Sequence, residues 1–191
     1  MPGKPGGLMC WSALMWFAAG AAYAGMAAKQ DRSWKTYQNS QWGYCVSYPS
    51  RWVKGDAFDG AGIFVATGVK RFSRPVGEMD VGALPAGVAR TAFGEDLETH
   101  LAGLKKFERA ESLEIVEKRE MQILDSSALF TKDRYYDPQD RAAWMDEIIF
   151  TQHNGALYRL ELECRADQVE RFEPVFQMFV STFRFDCGRA Q

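Results

Sequence analysis

Two histidines and four cysteines are the residues of this 191-residue chain best suited to nucleophilic, acid–base or metal chemistry. A catalytic thiol needs a base within hydrogen-bond reach, and a structural zinc site needs Cys or His at short, recurring spacings. Neither pattern is present. Cys10, Cys45, Cys164 and Cys187 stand far apart without a Cys-x-x-Cys. His100 follows Leu97 by three residues at the margin of a helical stretch, and His153 precedes Asn154-Gly155 in a tight turn. Neither histidine has a partner nearby in sequence, so both are expected at the surface, and no metal or cofactor is expected. A Cys45 thiolate meeting one of the histidines in space would make a hydrolase, a further alternative.

The other polar constellations are turns. Asp56 with Asp59 and Asp137 with Asp140 could attract calcium, but Asp in a turn ordinarily accepts bonds from backbone amides. Gly60-x-Gly62 lacks the helix that a phosphate-binding loop requires, and nucleophile elbows and Walker-type loops are absent. A second kind of chemistry, recognition, is open to Trp52, Tyr135, Tyr136 and Trp144, whose rings join apolar area to a polar handle. With Arg71 and Arg74 of a Gly/Pro-rich stretch they form the candidate binding surface.

The address of the chain follows from its first 24 residues, in which Lys4 precedes an apolar run closing on Ala22-Tyr23-Ala24. This is the pattern of a secretory signal peptide, with an uncleaved N-terminal anchor as the alternative. Export permits disulfides. Removing the peptide leaves 167 residues with 22 basic and 25 acidic side chains, a net charge near −3. The two signs alternate instead of clustering, which argues against a nucleic-acid partner. Three cysteines remain, and Cys164 with Cys187 is the preferred bridge because it would pin the C-terminal tail behind the last helix; the alternative is three buried free thiols.

The elements that must position these residues read as one domain over 40–187, preceded by a flexible polar lead over 25–39. Tyr44, Val46 and Tyr48 alternate with Cys45 and Ser47 as in a strand, and residues 61–69 complete a hairpin. Residues 70–91, rich in Gly and Pro, read as a long loop of the kind that often binds, with a disordered insertion or a weak strand around Val81 as the alternatives. A helix is expected from Gly94 to Arg109, with Leu97, Leu101 and Leu104 on its buried stripe and charges that complement its dipole. From Ser112 to Cys164 the pattern predicts successive antiparallel strands, each with one buried and one wet face. In the last, Tyr158, Leu160, Leu162 and Cys164 face inward while Arg159, Glu161 and Glu163 face outward. Asp167 with Glu170 has the spacing of a helix cap, and Pro174 reads as the first position of a final helix burying Val175, Phe176, Phe179, Val180 and Phe183.

This order of elements predicts an α+β fold built on an antiparallel sheet of about six strands. Together with Trp42-Gly43-Tyr44 through Tyr48-Pro49 and Trp52, and the closing run from Phe176 through Ser181 to Phe185, it resembles the PsbP-like superfamily. That resemblance spans most of residues 40–186 and implies an α/β/α sandwich whose members mostly bind or organise other molecules. The functional expectation is an exported, non-enzymatic binding or adaptor domain with an envelope or secreted protein as partner. A small apolar-ligand or lipid carrier of the envelope is the alternative.

Overall fold

The computed structural model describes residues 33–56, 62–65, 75–86 and 93–187. The signal segment, Asp59, Gly60, Arg71 and Arg74 lie outside the described residues. Two antiparallel sheets carry the fold. The smaller orders β1 (Trp34–Asn39), β2 (Tyr44–Pro49) and β10 (Arg184–Phe185) as β1-β2-β10. The larger contains β3 (Val53–Asp56), β4 (Gly62–Val65), β5 (Gly77–Pro85), β6 (Glu111–Ile123), β7 (Ser126–Asp137), β8 (Ala142–His153) and β9 (Ala156–Arg165), in the order β3-β4-β5-β9-β8-β7-β6. Helix α1 (Gly94–Gly103) runs into a π-helical turn over Leu104–Glu108, and helix α2 (Val169–Thr182) follows a short 3₁₀ turn. This is the α+β architecture expected. Among the described residues no helix is long and apolar enough to cross a membrane.

Turn chemistry sets the register of the β6–β9 meander. Leu124, at φ 53°, turns Ile123 back onto Ser126, and Asn154-Gly155, at φ 47° and 75°, turns His153 back onto Ala156. Both central residues of the second turn need the left-handed region, which Asn and Gly reach at least cost. The main core then forms on one face of the large sheet. Met79, Val81, Phe130, Ile149, Tyr158, Leu160 and Leu162 meet Phe172, Phe176, Phe179 and Phe183 from α2 and its exit, with Tyr44 and Val46 of the small sheet.

Several elements depart from the sequence expectation. Residues 34–39, expected in the flexible lead, are β1, paired along its whole length with β2 from Trp34↔Pro49 to Asn39↔Tyr44. The expected loop over 70–91 contains β5, a nine-residue strand between β4 and β9. Its glycines suggest a loop, but Gly77 serves packing: a Cβ there would lie 2.6 Å from the buried Phe172 ring. Edge strand β6 is exposed along most of its length, and Ile115 on it is 43% exposed, so the expected buried face is not formed at that end of the strand. Pro174 lies inside α2, not at its start. It sits on the exposed side of the helix, where water can satisfy the carbonyl that loses its amide partner. Asp167 caps neither helix and instead pairs with Arg165.

The disulfide also differs. Cys45 bonds to Cys187, and Cys164 is free and buried. Cys164 lies on the core face of β9, flanked by Gly77 and Met145 in the sheet register. Cys45 points away from the core between the inward Tyr44 and Val46, and β10 pairs Arg184 with Cys45, which carries Cys187 into reach. Burial pushes the Cys164 thiol up to about 12.

Candidate functional site

The face of the large sheet opposite the main core, expected to be wet on β9, is covered by α1. Two apolar clusters hold the helix there. Leu97 packs with Phe93, Leu129, Ile148, Phe150 and Leu157, and Leu104 packs with Tyr135, Ala142 and Trp144. Between Leu97 and Leu104 the helical period brings His100 onto the same stripe. The sheet beneath it is not apolar. β7 contributes Asp133, β8 contributes Asp146 across from it, and β9 contributes Glu161, so a buried imidazole faces three carboxylates.

The distances are specific. His100 Nε2 lies 3.6 Å from Asp146 Oδ2 and 3.8 Å from Asp133 Oδ2, while Nδ1 lies 4.0 Å from Glu161 Oε1. These exceed ordinary hydrogen-bond lengths. Arg159 lies alongside, its guanidinium 2.9 Å from Glu161 and 3.5 Å from Asp80 of β5. Thr131 donates its hydroxyl to Asp133 at 3.4 Å, and Tyr135 donates to Glu163 at 2.7 Å. Above this floor opens a cleft of about 860 Å³, bounded by α1, the π-helical turn and strands β5, β8 and β9.

The electrostatics follow from burial of an acidic excess. Burial pushes the Asp80 carboxyl up to about 7, with Glu161 adding to the rise and Arg159 opposing it. Asp133 is also raised, by burial first, although His100 works against the shift. Burial by itself would lower His100, but the carboxylates of Asp146 and Glu161 outweigh it and hold its proton more tightly than usual. Arg159 is raised by Glu161 and Asp80, so it is the permanent cation of the site.

The four described members of the sequence-derived binding surface, Trp52, Tyr135, Tyr136 and Trp144, do not form one exposed patch. Tyr135 and Trp144 are neighbours in the sheet register but are both 1% exposed, beneath Leu104. Tyr136 points to the other side at 38% exposure, and Trp52 packs edge-on against Phe172 at the main core. His153, as expected, is near the surface, where it pairs with Asp186 at 2.7 Å and stacks on Phe185. His100 is the correction: it is buried under its helix instead of exposed. Its position three residues after Leu97 and four before Leu104 is the signal that could have placed it. For Asp80, Asp133, Asp146 and Glu161 no local signal distinguishes a floor residue from an exposed strand carboxylate.

No protein-family profile matches the sequence, and no curated protein matches it. Solved structures do. The chain resembles the cyanobacterial PsbP, CyanoP, of Synechocystis, at 14% identity and a TM-score of 0.58 over 80% of this chain and 92% of that one. It also resembles LpqN of Mycobacterium tuberculosis, a protein involved in cell envelope biogenesis, at 12% identity and a TM-score of 0.53 over 81% and 91%. A Bacteroides thetaiotaomicron structure aligns at 12% identity and a TM-score of 0.51. The fold of this chain is PsbP-like.

Proposed function

We propose that the protein is an exported, non-enzymatic binding domain that docks an envelope or secreted protein at the mouth of the α1 cleft. The observation that carries this reading is the cleft itself, open above the sheet and rimmed by Phe107, 69% exposed, and Leu84, 51% exposed. Phe107 stands on the π-helical turn, a distortion that recurs at functional sites. Export is supported by the signal-like N-terminus and by the Cys45–Cys187 disulfide, since such bonds persist in oxidising compartments. The structural likeness to LpqN, a protein involved in cell envelope biogenesis, is compatible with that address.

Two competing readings are less well supported. The space between the large sheet and α2 is filled by aromatic side chains, and an acyl chain in the α1 cleft would lie against Asp146, Glu161 and Arg159. Charged groups facing hydrocarbon are costly, which disfavours a lipid carrier. For a hydrolase, the Ser or Thr hydroxyl that lines the cleft among the described residues is that of Thr99, and its Oγ1 donates to the Glu95 carbonyl within its own helix. The docking reading is tested by placing a photo-crosslinking residue at Phe107 in cells that make the protein. A discrete polypeptide adduct from Phe107, missing when the same residue replaces the exposed Met178 on α2, is expected. Identical adducts from both positions, or none, would refute it.

A further inference from the structure

We propose that His100, Asp146 and Glu161 bind a divalent metal ion of the zinc or manganese class at the floor of the α1 cleft. Their ligand atoms all lie within 4.8 Å of one another. Atoms that share one ion at bond lengths of about 2.0–2.2 Å sit about 3–4 Å apart, so the observed separations need only small side-chain adjustments. Direct pairing explains the cluster less well. The His100–carboxylate distances of 3.6 to 4.0 Å are long for hydrogen bonds, and His100 Nε2 has no hydrogen-bond partner among the described residues although its side chain is only 7% exposed. Asp133, whose side chain is wholly buried 3.8 Å from Nε2, likewise has one oxygen, Oδ1, without a hydrogen bond among the described residues.

Charge leads to the same place. Asp80, Asp133, Asp146 and Glu161 face Arg159 and His100 across a floor largely withdrawn from water. Among the described residues these four carboxyl groups outnumber the two basic side chains, and buried charges are ordinarily paired or coordinate a metal. A divalent ion adds positive charge beside this carboxyl-rich floor. One imidazole with two or three carboxylates is a donor set for zinc or manganese; calcium and magnesium favour all-oxygen sites, and copper(I) favours thiolates. Arg159, bound to the second oxygen of Glu161, would orient that ligand from behind. The cleft lining extends down to His100, Asp146 and Glu161, which provides the entry path.

The docking reading concerns the rim of the cleft and this one its floor, and the ion is tested with no partner present, so either can fail alone. The purified full chain, treated with a chelator and returned to buffer, is titrated with Zn²⁺ and with Mn²⁺ by calorimetry. One ion per chain is expected, with a matching rise in Tm. His100→Gln and Glu161→Gln should each weaken binding by more than the roughly 10–100-fold that loss of an outer-shell partner costs. His153→Gln, which removes the surface His153–Asp186 pair, should leave it unchanged. Circular dichroism of each ion-free variant checks folding, and Asp146→Asn, which removes a buried charge, serves if either variant fails to fold. Absence of a one-to-one complex with both ions, retention of affinity in His100→Gln, or loss confined to His153→Gln would overturn the assignment.

Discussion

Breaking the Cys45–Cys187 bridge tests the topology of the chain most directly, because the bond closes almost the whole domain. The two residues are 142 apart in sequence. In the chain-entropy treatment a loop of that length removes about 17 cal/mol/K from the unfolded ensemble, or about 5 kcal/mol at 25 °C. Native disulfides of small secreted domains typically contribute about 2–5 kcal/mol, so the long loop places this one toward the top of that range. In a domain of this size that corresponds to a fall in Tm of roughly 10–20 °C. The assay is urea unfolding of the full chain in a Cys10→Ala background, followed by tryptophan fluorescence with and without dithiothreitol. Wild-type pairing should lose stability on reduction, Cys187→Ala should start low and ignore reductant, and Cys164→Ala should remain fully reductant-sensitive. A Cys164→Ala protein indifferent to reductant, or a non-reduced peptide map joining Cys164 to Cys187, would refute the register that carries β10 to β2.

Other consequences are equally measurable. Gly77→Ala should destabilise by about 1–3 kcal/mol in denaturant melts, the usual cost of overpacking, because its methyl group meets the Phe172 ring; Phe172→Leu in the same chain should recover part of the loss. Phe179→Ala, emptying a fully buried site in the main core, should cost about 3–5 kcal/mol by the same melts. The Cys164 thiol, pushed up to about 12 by burial, should resist a thiol reagent at pH 8 in the folded protein and react at once in urea. Its labelling should speed up as pH rises toward that value, since the thiolate is the nucleophile; rapid labelling at pH 8 would contradict its burial.

Local pattern was sufficient for much of the fold. Asn154-Gly155, the alternation of Tyr158 through Cys164 and the Phe stripe of α2 are decided within short windows, because turn geometry and side-chain periodicity depend on neighbours in sequence. They led to an antiparallel α+β domain. β5 was obscured because Gly77 and Gly82 carry no strand signal; the first is there to let Phe172 approach, a reason that exists only once α2 is packed. The disulfide partner was hidden for a related reason. Which of three cysteines meet depends on β10 pairing with β2, a contact between distant parts of the chain.

The site shows the same division more sharply. The sequence by itself determined that His100 sits on a helix between Leu97 and Leu104, and that Asp133, Asp146 and Glu161 sit on successive antiparallel strands. Tertiary structure decided that α1 lies over the second face of the sheet, turning outward-facing strand carboxylates into a buried floor. A period of two can say which residues share a face of a strand, but not whether another element covers that face. Coverage is set by where α1 docks, and that placement alone makes one imidazole and three separate carboxylates into a single site.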